Sequence, residues 1–510
     1  MALRVEIDPL IGIRDLHATS NHPATALEWS VDGASVGLFG PVVSASELQP
    51  GQEWTVRAVR GLQTDSASIT VPEPPGGNIL VILIDDIGVD HVGVYDRNPL
   101  APRTPRIDQL AEEGVRFDRA YASPVCSPSR AILMTGRHAR RHGFGWIADT
   151  GSRDYALPLA STTIPEALRS AWPAPRPSSL VGKWHLAAPG ADDVLTHPLD
   201  QGFDWAAGTV GNPTYHPEWG YWRWNKNVNG VVEVSNTYMT TETVDDALAR
   251  IAAMPPPWFL FLSFNAAHTP LSPPPEHLTT LQVDAESSQD ALFDATVEAL
   301  DTELGRLFDT VDPGVMAQTT VILMGDNGTP SHAIDPPLDP DHGKHTVYEP
   351  GIRVPLIIAG PHVRDPGRVS DAQVHIADVL PTVAELSGVP LTGPRDALAL
   401  DLETLVPLDG RSLAPHLTDA QAPGHALLYV EAFAPNGDAV NRSIDRRSLT
   451  DGRFKVVRRG GAPEEFYDLS TDPLDLDDGA NLSDDLAQTA FRALADELDI
   501  LEQTLTFEGF

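Results

Sequence analysis

The spacing of hydrophobic and polar positions changes twice along the chain. In the first 75 residues, apolar and polar positions alternate over short runs at 26–31, 53–59 and 66–71. A period of two belongs to half-buried strands. Asp32-Gly33 and Gln49-Pro50-Gly51 supply turn chemistry between the runs. From residue 78 the pattern becomes strand, helix, strand. Residues 79–84 form a continuous apolar, β-branched run, as expected of a strand covered on both faces. Thr104-Pro105 opens a predicted helix with Ile107, Leu110 and Ala111 at helical spacing and Gly114 at its end. Further strands are predicted at 179–186, 258–264, 320–324 and 354–359, and helices around 240–253, 288–311 and 377–387. After residue 420, strand patterns recur at 426–431, 454–458 and 465–469, followed by a helical pattern around 484–504.

These patterns predict three units. Residues 1–75 form an immunoglobulin- or fibronectin-like β-sandwich, serving as a spacing or packing module or, more sharply, as a carbohydrate binder. The segment Pro72-Glu73-Pro74-Pro75-Gly76-Gly77 reads as a linker. Residues 76–420 form an α/β domain, a mostly parallel sheet flanked by helices. Ligands of such sheets gather beyond the carboxyl ends of the strands. Residues 421–510 form a small antiparallel-sheet subdomain with a terminal helix. The longest apolar runs have strand length, so no membrane span is expected. The N-terminus shows no signal peptide, which leaves a cytoplasmic protein or the mature form of an exported one.

A chain of 510 residues has room for two or three domains, and 42% hydrophobic with 21% charged residues fits a folded protein. Acidic residues outnumber basic ones 71 to 35, a formal charge of -36. Nucleic acid is therefore not expected as a partner. The acidic surface reads as solvation or as adaptation to salt. Either way, a site for sulfate or phosphate has to gather local cations.

The candidate chemistry is set by a few strings. Asp85-Asp86 closes the first buried strand, and Asp326-Asn327 closes a later one. Carboxylates with an amide oxygen suit a hard divalent cation, although both pairs also read as ordinary turn residues. Cys126 is the single cysteine, which excludes an internal disulfide and argues against a thiolate zinc site. Pro128 sits in the first turn of a predicted helix, placing Cys126 at a helix N-terminus with Arg130 on the same face. Cys126 is then either an inert core residue or a thiolate nucleophile. Lys183 and His185 occupy alternate positions and so point to one side of a strand end. His268 follows the 258–264 strand, and Lys344 lies in the polar loop Asp341-His342-Gly343-Lys344-His345. Each reads singly as a surface or hydrogen-bonded residue; together they supply cations and proton donors for an oxyanion.

In order, the strings Ile82-Leu83-Ile84-Asp85-Asp86, Cys126-Ser127-Pro128-Ser129-Arg130 with Thr135-Gly136-Arg137, Gly182-Lys183-Trp184-His185, Gly325-Asp326-Asn327-Gly328 and His342-Gly343-Lys344 resemble those of type I sulfatases of the alkaline phosphatase superfamily. The resemblance covers roughly residues 78–470 and includes Phe466-Tyr467-Asp468-Leu469 near the C-terminus. It implies that Cys126 is converted by a separate maturation enzyme to formylglycine. The hydrated aldehyde would attack sulfur, hold the sulfate and then release it. Asp85, Asp86, Asp326 and Asn327 match the metal ligands, completed by residue 126, with Ca²⁺ the usual ion and Mg²⁺ or Mn²⁺ alternatives. Arg130 matches the residue that holds the diol, Lys183 a sulfate-binding lysine and His185 the histidine assisting elimination. His268 and Lys344 match the pair that holds sulfate and protonates the leaving oxygen. The expected partner is a sulfated small molecule or glycan. Two alternatives stand beside this: a phosphonate monoester or phosphodiester hydrolase on the same scaffold, and a catalytically silent binder of sulfated glycans. The aromatic-rich loop 212–229 is expected to contact sugar faces, or else to pack the domain.

Overall fold

The computed structural model describes residues 5–8, 16–20, 26–31, 34–39, 42–43, 53–60, 63–70, 76–148, 155–169, 176–214, 219–389, 408–437, 442–473 and 484–505. The turns at 32–33 and 49–51 and the linker residues 72–75 lie outside them. The N-terminal region contains β1 (Val5–Asp8), β2 (Leu16–Ser20), β3 (Ala26–Val31), β4 (Ala34–Phe39), β5 (Val42–Val43), β6 (Glu53–Arg60) and β7 (Gln63–Thr70). They pair antiparallel in two sheets, ordered β1-β2-β5 and β4-β3-β6-β7. Trp29 and Trp54 are buried and meet edge to face at 6.3 Å.

The next ten strands make one sheet: β8 (Asn78–Ile84), β9 (Gly114–Tyr121), β10 (Ser178–Gly182), β11 (Trp205–Gly208), β12 (Trp224–Val228), β13 (Val231–Ser235), β14 (Phe259–Ser263), β15 (Thr319–Gly325), β16 (Leu356–Ala359) and β17 (Arg368–His375). Their order is β13-β12-β11-β10-β14-β8-β15-β16-β9-β17. The centre, β11-β10-β14-β8-β15, is parallel, β16 runs antiparallel between β15 and β9, and β17 is parallel to β9. Strand β8 shows why its sequence is apolar throughout. Ile79, Val81 and Leu83 enter the core on one face of the sheet, and Leu80, Ile82 and Ile84 the core on the other. Helices Met239–Ala253 and Gln289–Thr310 cover the second face, and Cys126–Thr135 and Val379–Leu386 the first. Among the described residues no helix is long and apolar enough to cross a membrane.

Two expectations need correction. Gly114 does not end the helix Pro105–Glu112; Glu113 does, and Gly114 starts β9. The 179–186 strand stops at Gly182, whose φ of +102° breaks the extended run. A Cβ there would sit 1.9 Å from the Ser263 carbonyl oxygen, so only glycine fits this turn. Lys183 and His185 are loop residues, and strand alternation does not explain their shared direction.

The C-terminal strands are β18 (Leu428–Ala434), β19 (Ile444–Thr450), β20 (Phe454–Arg459) and β21 (Glu465–Asp468), paired antiparallel in that order. One face packs on the helix Asp485–Thr504 through Phe454, Phe466, Leu494 and Leu498. The other meets Tyr121 at the end of β9 and Val347 and Ile352 of the 344–353 segment through Val430 and Val457. A buried ion pair crosses this seam, Lys455 Nζ to Glu349 Oε1 at 2.9 Å.

Candidate active site

Loops leaving the carboxyl ends of β8, β10, β14 and β15 meet the N-terminus of the helix Cys126–Thr135. The strands are adjacent and parallel, so their ends bring together residues up to 241 positions apart. Asp85, Asp86, Cys126, Arg130, Lys183, His185, His268, Asp326, Asn327 and Lys344 are all buried. Every residue singled out from the sequence is in this one cluster.

The backbone holds the acids first. The Asp85 N–H donates to Ala266 O at 2.9 Å, and the Asp326 N–H to Ile84 O at 3.0 Å. Asp86 has φ +64° and its N–H donates to Asp326 Oδ1 at 3.1 Å, which ties the two acidic turns together. Asn327 Nδ2 donates to Asp86 Oδ1 at 2.9 Å. Cations then fill the spaces between the carboxylates. Arg130 Nη2 lies 2.9 Å from Asp326 Oδ2 and 3.5 Å from Asp85 Oδ2, while Nη1 donates to Ser263 Oγ and to Lys183 O. Lys183 pairs with Asp85, and Lys344 with Asp86. His268 Nε2 stands 3.9 Å from Asp86 Oδ2. Cys126 Sγ is 3.4 Å from His185 Nδ1.

This crowding sets the protonation states. Burial works against ionising Asp85 and Asp86, but Lys183 and Lys344 respectively overcome it and hold both carboxyls below the usual range. Asp326 moves the other way: burial and the Asp85 carboxylate push it up to about 8. Burial would raise the Cys126 thiol, yet Lys183, His185 and Lys344 bring it down to about 6. Burial and Lys344 hold the His268 imidazole at about 3, so it is neutral near pH 7. Its Nδ1 faces Thr269 O and therefore carries the proton, leaving Nε2 with a lone pair toward Asp86.

The acids also fit a divalent cation. Asp85 Oδ1 and Asn327 Oδ1 are buried with no hydrogen-bond partner among the described residues. Ligand atoms of Asp85, Asp86 and His268 lie within 4.8 Å of one another. Three carboxylates and an amide oxygen form a hard donor set of the kind that holds calcium or magnesium.

Other residues in the cluster carried no role in the sequence reading. Ser263, at the end of β14, receives Arg130. Trp146 and Ile147 pack against Val125, Cys126 and Ala432. The adjacency of His345 to Lys344 was its only sequence signal. The 212–229 segment is not a loop throughout, since 224–228 form β12, and its residues 215–218 lie outside the described set. Tyr221 and Trp224 are buried and support the wall, with Tyr221 Oη 2.8 Å from Asn265 O and 2.9 Å from His268 O. Trp222 is exposed.

Cations, carboxylates and a helix N-terminus around one buried cysteine make a pocket suited to a tetrahedral oxyanion. A sequence model of the sulfatase family matches residues 77–389. The steryl-sulfatase of Mus musculus is 29% identical, with 70% of this chain and 67% of that protein covered. The N-acetylgalactosamine-6-sulfatase of Canis lupus familiaris is 29% identical over 70% of this chain and 69% of its own. Among solved structures, Ps i-CgsB in complex with k-i-k-neocarrahexaose aligns with a TM-score of 0.67 at 23% identity, covering 86% of this chain and 95% of that one. The chain belongs to the sulfatase family, as a type I member of the alkaline phosphatase superfamily. It is an enzyme that hydrolyses sulfuric esters.

Proposed function

We propose that the enzyme releases sulfate from a sulfated carbohydrate or aryl-type ester, using formylglycine made from Cys126 by a maturation enzyme. We assign the metal site to Asp85, Asp86, Asp326 and Asn327, with calcium as the ion and magnesium or manganese as the alternatives. One observation carries the reading: Cys126 is buried at a helix N-terminus among Lys183, His185 and Lys344. The relatives' names support the substrate class, since one acts on N-acetylgalactosamine 6-sulfate and one structure holds a neocarrahexaose. We also assign three units, 1–75, 76–420 and 421–510, of which the second carries the chemistry.

A cation held by Asp85, Asp86, Asp326 and Asn327 would supply positive charge beside the residue-126 hydroxyls and the sulfate oxygens. A formylglycine hydrate would supply two hydroxyls on one carbon: one to attack sulfur as the S–O bond to the alcohol breaks, and a second that loses its proton and re-forms the aldehyde C=O as the C–O bond to sulfate breaks. The chain's own residues bind, orient and move protons. Lys183 and Lys344 neutralise sulfate oxygens inside an otherwise acidic protein. Arg130 fixes the relative placement of Asp85, Asp326 and the Ser263 hydroxyl. His185, within reach of the residue-126 side-chain heteroatom, takes its proton. His268 is neutral, whereas Asp86 holds the Lys344 ammonium above the usual lysine range. His268 and Lys344 both face Asp86, the place from which a leaving alkoxide would be protonated.

The test begins with peptide mass spectrometry of residue 126. The same preparation is then assayed on sulfated sugars and aryl sulfates, beside phosphodiesters and a phosphonate monoester. Sulfate release scaling with the converted fraction is the expected result. A converted, metal-loaded sample that is inactive on the sulfates, or faster on the phosphorus esters, overturns the reading.

A further inference from the structure

In a sulfate ester, the alcohol carbon is two bonds from sulfur. A partly exposed side chain beside residue 126 that does not hold the sulfate is therefore within reach of the alcohol. Trp146 is in that position: its ring packs against Val125, Cys126 and Ala432 and is only half-buried. Its backbone is fixed from the C-terminal subdomain. The Gly145 and Trp146 N–H groups both donate to Asn436 Oδ1, at 3.0 and 2.8 Å, and Phe433 N–H donates to Gly145 O at 3.0 Å. A Cβ on Gly145 would lie 2.4 Å from the Phe433 ring, so the turn presenting Trp146 is tightly set.

The neighbouring residue is equally fixed. His345 has φ +77°, its N–H donates to Pro124 O at 2.8 Å, and its carbonyl accepts from Arg446. Histidine in this region of φ is uncommon and is held here by contacts on both sides. Its ring stands 5.5 Å from that of Trp146 with 35° between planes, one residue from Lys344. Burial and Lys344 hold the His345 imidazole down at about 4, so it is neutral near pH 7. The indole N–H groups of Trp184, Trp222 and Trp224 have protein acceptors, at His197, Pro273 and Thr237. The indole N–H of Trp146 has no acceptor among the described residues.

We propose that Trp146 is the platform on which the sugar bearing the scissile sulfate stacks, with His345 hydrogen-bonded to a hydroxyl beside it. This rests on the carbohydrate-sulfatase reading above. A rigid, half-exposed indole suits the C–H face of a pyranose, and its uncommitted N–H suits a ring hydroxyl. Trp146 is a specificity residue; the sulfate itself is held by the lysines.

The experiment compares a sulfated monosaccharide with an acyclic alkyl sulfate, using converted, metal-loaded wild type, Trp146→Ala and Trp146→Phe. Losing an aromatic stack predicts a roughly tenfold rise in KM for the sugar in Trp146→Ala, largely recovered in Trp146→Phe. The desulfated sugar should inhibit Trp146→Ala more weakly by a similar factor. The selectivity ratio of sugar over acyclic sulfate therefore falls. Equal losses on both substrates, with the thermal midpoint retained, overturn the proposal, as does an unchanged KM for the sugar. A wild type that hydrolyses no sulfated sugar overturns the carbohydrate reading itself, and with it this one.

Discussion

Stripping divalent cations from the protein and adding calcium back raises its thermal midpoint if Asp85, Asp86, Asp326 and Asn327 form a metal site. The reason is electrostatic: the carboxylates are buried together, and Asp85 Oδ1 and Asn327 Oδ1 have no partner among the described residues. A ligand that binds only the folded chain stabilises it by about 2.7 kcal/mol at a hundred times its dissociation constant. For a cooperative unit of roughly 300 residues, the unfolding entropy is about 0.6 kcal/mol/K, giving a shift of about 4 °C. Differential scanning calorimetry of chelator-treated protein, titrated with calcium at constant ionic strength, measures it. The control is Asn327→Ala, which removes one amide oxygen without changing charge. Its shift should shrink markedly at the same calcium concentration. A net charge of -36 also gathers calcium diffusely. An equal shift in wild type and Asn327→Ala, or none in wild type, refutes the assigned site.

Other outcomes follow from particular contacts. Lys344→Ala lowers kcat roughly 10²- to 10³-fold in steady-state assays, the scale expected for losing a charged group aimed at transition-state oxygens. Lys455→Met leaves Glu349 buried without its lysine partner and destabilises by about 3–5 kcal/mol in denaturant melts. His142 is buried, with Nδ1 accepting from the Phe144 N–H, and burial holds its imidazole down to about 3. Its folded value is below its unfolded one, so its contribution is complete above about pH 6.5. As pH falls toward about 3 the unfolded chain takes up a proton that the folded chain refuses, removing about 1.4 kcal/mol per pH unit. His142→Asn should flatten that limb in denaturant melts at pH 7, 6 and 5.

The parts legible in the sequence were those whose physics is one-dimensional. Strand β8 is apolar at every position because both faces are covered, and the acids at its end mark where the chain leaves the sheet. The helix at Cys126 announced itself through Pro128 in its first turn. Strands β9 and β19 were missed because Arg116, Asp118, Arg446 and Arg447 break the apolar pattern; Arg116 pairs with Asp118 and Arg447 with Asp445 along the same strand, while Arg446 reaches His345 O. Lys183 and His185 were placed in the site by an argument from alternation that fails at Gly182. What turns them is the left-handed backbone at Gly182 and His185, invisible in a count of apolar residues. Trp146 and His345 escaped for another reason. Their importance comes from contacts with Asn436 and Arg446, which are close only after folding.

Those same contacts impose an order in time. The wall over residue 126 includes Ala432, Asn436 and Arg446, from the last sixth of the chain, whereas β8 and the Cys126 helix are among its early products. A chain emerging from its N-terminus passes through a stage in which β18 and β19 do not yet exist. During that stage the cysteine lacks its cover; once β18 docks, it has no exposed surface. For the maturation step proposed above, the docking of β18 therefore marks the point at which the side chain of residue 126 passes from accessible to covered.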